Sequence, residues 1–100
     1  MSAQNSEQFV SLVSTIRRSE DHLAAKIDNE LVLMSGTRGN YYGLNAIGAD
    51  IWQRLGEPIV VSNLCVALTE DYNADNETIS RDVLVLLEHM ASEGLIEVLP

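Results

Sequence analysis

Few side chains in this sequence could do chemistry. His22, His89 and Cys65 are the usual candidates for metal binding or nucleophilic attack, and they lie far apart in the chain. No carboxylate pair stands at ligand spacing beside either histidine, so no metal site is expected. Cys65 sits in the apolar run Leu64-Cys65-Val66-Ala67-Leu68, where a buried and inert thiol is expected. Gly36 and Gly39 precede a strand-like segment rather than a helix, which removes the phosphate-cradling loop. Neither a catalytic residue nor a cofactor is expected. Tyr41 and Tyr42 remain, followed by Gly43, Leu44 and Asn45. Two large, stiff, amphipathic rings on one short strand make good pocket walls for a peptide. The same rings would equally serve as strand residues covering a core.

The elements that position these residues follow from the spacing of apolar side chains. Leu23–Ile27 and Leu31–Met34 are short apolar runs around Asp28-Asn29-Glu30, the pattern of a β-hairpin. A glycine-containing turn over Ser35–Gly39 leads into a third strand, Asn40–Leu44, at the edge of the sheet. Upstream, Phe9, Leu12, Val13 and Ile16 fit either a helix face or a strand, and extended structure ending at Arg17-Arg18 is expected. Residues 1–10 are expected to be flexible.

Beyond Asn45, an expected N-cap, the period changes to that of helices. Ile47, Ile51 and Leu55 line the first helix, with Trp52 packed into the core beside them and Gly48 at a close backbone approach. Gly56 and Pro58 stop it. Ser62 is the expected cap of a second helix with Val61, Leu64, Leu68 and Tyr72 on one face. Asp75 caps a third, with Ile79, Val83, Leu86, Leu87 and Met90 as its stripe and Gly94 as its end. Leu95–Val98 reads as a short extended tail. The expected fold is α+β, one domain over residues 1–100: a three-stranded antiparallel sheet followed by a three-helix winged helix-turn-helix.

Charge restricts what such a fold can bind. The chain has 100 residues and a net charge of −9, with six basic residues against fifteen acidic ones. Such a surface repels phosphate backbones and anionic lipid. The outward positions of the third helix are read as Glu77, Ser80, Arg81, Leu84, Glu88 and Ser92. One arginine there cannot make the several phosphate contacts that DNA binding needs, so no nucleic-acid partner is expected. No apolar run reaches the ~20 residues of a membrane span, and the start shows no export signal. With one cysteine, the chain suits a reducing cytoplasm.

The motif Tyr41-Tyr42-Gly43-Leu44-Asn45-x-x-Gly48-x-x-Ile51-Trp52 resembles the PqqD family. The likeness continues through Val60-Val61-x-x-Leu64, Leu68-x-x-x-Tyr72 and Asp82-Val83-x-x-Leu86-Leu87-x-x-Met90-x-x-x-Gly94-Leu95-Ile96. Proteins of that family bind the leader segment of a ribosomally made precursor peptide and present it to modifying enzymes. The resemblance implies that a leader adds as a strand beside Tyr41, Tyr42, Gly43 and Leu44, facing Asp82, Val85, Leu86 and His89. It also implies partners: a precursor leader peptide, a transglutaminase-like leader peptidase and an asparagine-synthetase-like cyclase. The Tyr-Tyr-Gly-Leu-Asn form is more similar to the lasso-peptide branch than to chaperones of quinone cofactor synthesis. The alternative readings are that quinone role and a winged-helix transcriptional regulator.

Overall fold

A computed structural model describes residues 10–20, 22–28, 30–36 and 39–100. Strand β1 (Thr15–Arg18) is followed by β2 (His22–Ile27), β3 (Glu30–Ser35) and β4 (Tyr41–Leu44). Helix α1 (Ala46–Arg54), strand β5 (Ile59–Val60), helices α2 (Val61–Tyr72) and α3 (Asn76–Ser92), and strand β6 (Ile96–Leu99) complete the chain. The expected meander is present: β2, β3 and β4 form a three-stranded antiparallel sheet in that order. Asp28, at φ 58°, makes the first turn in the left-handed region that Asp tolerates. Asn29, Thr37 and Arg38, which belong to the two expected turns, lie outside the described residues.

A second sheet was not foreseen. β1 pairs with both β6 and β5, all antiparallel, in the order β5-β1-β6. The expected extended tail is therefore a strand, and its partner comes from the other end of the chain. α2 and α3 meet across a tight turn, as in a helix-turn-helix, with Asn73 at φ 52° ending α2. The strand after α3 pairs with β1 instead of folding into a hairpin.

Helix ends explain where the chain turns. Asn45 Oδ1 accepts the Gly48 N–H at 2.9 Å, and Asp75 accepts the Thr78 N–H at 3.0 Å, so both expected caps are in place. Gly94, at φ 76°, closes α3. Ser62 is not a cap. The residue before α2 is Val60, which has no capping side chain. The free N–H groups of Val61 and Ser62 instead donate to the carbonyls of Ser14 and Leu12, both at 2.9 Å. A distant segment does what a local hydroxyl was expected to do.

The expected flexibility of residues 1–10 falls on residues that lie outside the described ones except for the last. Met1–Phe9 lie outside the described residues, but Val10 is buried and its N–H donates to Glu88 at 2.8 Å. Ser80, Leu84 and Glu88, read as outward positions, are half-buried: Glu88 accepts from Val10, Leu84 packs against the core and Ser80 meets Cys65. The core runs from Ile16 and Leu33 through Trp52, Leu55, Leu64 and Leu68 to Leu87, Met90 and Leu95.

Trp52 is 3% exposed. Arg18 Nε and Nη2 donate to its carbonyl at 3.0 and 2.6 Å, and the guanidinium lies 4.8 Å from the ring centroid. His22 meets the indole edge-on at 5.1 Å. One side chain thus joins α1 to the start of both sheets. Trp52→Ala is expected to cost about 3–5 kcal/mol of stability, read by urea denaturation followed by circular dichroism. Unchanged stability would contradict this packing.

Candidate functional site

β4 is paired on one side alone, with β3. Across that pair Leu33 faces Tyr42 and Leu31 faces Leu44, and the Ser35 N–H donates to the Asn40 carbonyl. Antiparallel ladders alternate bonded and non-bonded pairs, so Tyr42 and Leu44 bond inward. The main-chain groups of Tyr41 and Gly43 then point to the open edge. Side chains alternate the other way: Leu44 is buried, Tyr42 half-buried and Tyr41 75% exposed.

Beside this edge lies an open groove of about 450 Å³. Tyr42, Gly43 and Leu44 form one wall, and Ile79, Asp82, Val83 and Leu86 of α3 form the other. Gly48, Ile51 and Leu68 lie at its base, with Ile47, Tyr72 and Ala74 at one end. A Cβ on Gly48 would stand 3.1 Å from Leu44 Cδ2, so the glycine allows the corner to close. Ile47, read as a core position, is 49% exposed because it turns toward the groove, and Tyr72 is 42% exposed there.

The eight residues named from the sequence fall into two sets. Tyr42, Gly43, Leu44, Asp82 and Leu86 line the groove. The Tyr41 side chain lies on the opposite face of the sheet with Leu23, Ile27 and Met34, so its contribution to the edge is its main chain. Val85 is 56% exposed and His89 is exposed, both outside the groove lining. Asn45, Ile47, Gly48, Ile51, Leu68, Tyr72, Ala74, Ile79 and Val83 were missed as groove residues. Asn45 had been read as a cap, Gly48 as a close approach and Ala74 as part of a turn, and the other six had been assigned to apolar helix stripes. Ile51, Leu68 and Val83 are indeed buried in the core as well as lining the groove.

Electrostatics divide the groove. At the end near Tyr72, Arg54 bonds Asp50 at 3.0 Å and Asp71 at 2.6 Å, and the Tyr72 hydroxyl donates to Asp50 at 2.6 Å. The hydrogen bonds from Arg54 and Tyr72 hold Asp50 below its ordinary value of 3.8, and those from Asp50 and Asp71 raise Arg54. At the other end, burial and then the field of Glu93 push the Tyr42 phenol above 10.0. Glu93 also accepts from Asn40 at 3.2 Å. Cys65 is buried, and that burial raises its thiol above 9.0. Among the described residues, no three His, Cys, Asp or Glu side chains converge as metal ligands. No described helix is long and apolar enough to cross a membrane.

Comparison with known proteins places this geometry. The family model described as coenzyme PQQ synthesis protein D (PqqD) matches residues 30–96. The chain belongs to the PqqD family. Among solved structures similar to this PqqD-family chain is TbiB1 in complex with the TbiA(beta) leader peptide. It is 32% identical, with 81% of this chain and 94% of that chain covered, at a TM-score of 0.70. A lasso peptide synthetase B1 complexed with the leader peptide is 28% identical, with 85% and 98% covered, at a TM-score of 0.70. Curated protein sequences give no match.

The Asp50 network generates a pH prediction. A carboxyl whose folded value is depressed contributes stability that is fully present above its unfolded value and lost as pH falls through the folded one. Native protein should therefore lose stability below about pH 4 more steeply than Asp50→Asn. Thermal melts at stepped pH would show parallel curves if the network contributed nothing.

Proposed function

We propose that this PqqD-family chain binds the leader segment of a ribosomally made precursor peptide by adding it as a strand to β4, in lasso-peptide biosynthesis. The open edge of β4 beside an apolar groove is the observation that carries the reading. Main-chain bonds to Tyr41 and Gly43 would supply register, and apolar leader side chains would enter between Leu44, Ile79 and Leu86. Both solved relatives described above hold a leader peptide, and this supports the assignment. The presence of lasso peptide synthetase B1 among them favours the lasso branch over a quinone role.

The chain would act by binding, without catalysis of its own. Burial of Cys65 agrees with that role. The bound leader would be presented in the cytoplasm to a transglutaminase-like peptidase and an asparagine-synthetase-like cyclase, partners drawn from the family resemblance. A regulator that reads DNA is disfavoured by the half-burial of Ser80, Leu84 and Glu88, which takes one side of α3 out of reach of a groove.

Gly43 gives a clean test. A Cβ there meets nothing within 4 Å, so Gly43→Ala should bind as the native chain does. Gly43→Pro removes an N–H that the sheet does not use and is tolerated on an edge strand. It should weaken binding by about 1–3 kcal/mol with the fold intact. Titration of a fluorescently labelled lasso-precursor leader peptide measures both. Equal affinity in the two variants would eliminate strand addition. Tyr42→Ala is expected to weaken the same leader by about 1–2 kcal/mol through lost wall contact.

A further inference from the structure

Asp82 is the one charged side chain among the described residues that line the groove. It stands on the α3 wall between Ile79 and Leu86, and no hydrogen bond or ion pair of its own occurs among the described residues. A strand laid along β4 would cover this carboxylate and take part of its water away. A carboxylate that loses water needs a compensating partner. Among the described residues that line the groove none is a cation, and the donors there are the neutral Asn45, Tyr42 and Tyr72. Arg54, which shares Asp50 with the groove residue Tyr72, is already divided between Asp50 and Asp71, which leaves that trio net negative. Arg81 is next to Asp82 in sequence, but about 100° away around the helix.

The opposite end repeats the sign. Glu93 is eleven residues beyond Asp82, which on a helix returns to within about 20° of the same direction, about 16 Å further along. Its carboxylate reaches the residue before β4, Asn40. The strand edge therefore runs past Asp82, an apolar stretch at Leu86, and Glu93. Apolar walls of low polarisability strengthen such fields over what open water would allow.

We infer that the segment recognised by the β4 edge carries a cationic side chain, lysine or arginine, that faces Asp82 across the groove, with a second cationic position favoured toward Glu93. This rests on the leader-binding reading and makes Asp82 a specificity-determining residue within it. Such pairing selects among leaders by charge, where the apolar groove alone discriminates weakly between hydrophobic segments.

The test uses the full chain and a displayed library of random twelve-residue peptides. Selection on native protein, with counter-selection on Gly43→Pro, isolates peptides that depend on the edge. These should be enriched in Lys or Arg at one fixed spacing from their apolar anchor. Selection on Asp82→Lys should enrich Asp or Glu at that position instead. For a purified pair, replacing the peptide cation by glutamate should weaken binding about 5–10-fold, and Asp82→Lys should restore it. Affinity of the native pair should also fall as salt rises from about 0.05 to about 0.5 M. Asp82 is exposed and makes no bond in the fold, and Asp82→Asn provides the neutral variant for the same titration. Edge-dependent peptides without charge preference would overturn the inference and leave leader binding standing. Equal weakening of all peptides by Asp82→Asn would do the same, since Asp82 would then accept a main-chain N–H. If no edge-dependent peptide emerges, the leader-binding reading falls, and this inference with it.

Discussion

The corner between β4 and α1 is the constraint on which the groove depends. Leu44 turns inward, Asn45 caps the helix through the Gly48 N–H, and Gly48 lets the Leu44 side chain lie 3.1 Å from where a Cβ would be. Because the chain leaves the sheet within one residue, no further strand is contributed there to cover β4. A longer connection could have folded back over the edge. An uncovered strand edge attracts aggregation in most proteins. Here α3 forms the opposite wall of the groove beside that edge.

The second sheet decides which side of α3 stays open. β1, β5 and β6 bring both ends of the described chain together, and the segment before β1 runs over α2 and α3. Val10 is held by Glu88, and Leu12 and Ser14 supply carbonyls to the start of α2. One flank of α3 is therefore packed, and the flank carrying Ile79, Asp82 and Leu86 borders the groove. Arg18 and Trp52 lock this arrangement, since Trp52 belongs to α1 while Arg18 belongs to β1. Loosening that contact would move the groove's base as well as the sheet.

Charge and shape then act together. The chain's negative charge excludes polyanions at long range, and the groove's apolar lining accepts side chains at short range. Backbone bonds at an open edge are indifferent to sequence. Selectivity among extended peptides must come from the side chains that line the walls.

Much of this was legible in the sequence because it is local. The short apolar runs of β2 and β3 flank a turn of a few residues, and the Asn45 and Asp75 caps act within one turn. Trp52 was placed in the core by its helical register alone. Family likeness in the order Tyr-Tyr-Gly-Leu-Asn pointed to β4 as the working strand before any geometry was known. Tertiary structure decided the rest. Ser62 was expected to cap α2, but carbonyls from Leu12 and Ser14, some fifty residues away, satisfy those N–H groups. No local pattern records such a partner. The pairing of β1 with β6 joins residues more than seventy positions apart, and four-residue strands carry too little periodicity to announce it. Ile47 and Tyr72 have the spacing of core residues, and spacing cannot tell a core from the wall of an open groove. That distinction depends on what stands opposite, and only the packing of α3 against the sheet settles it.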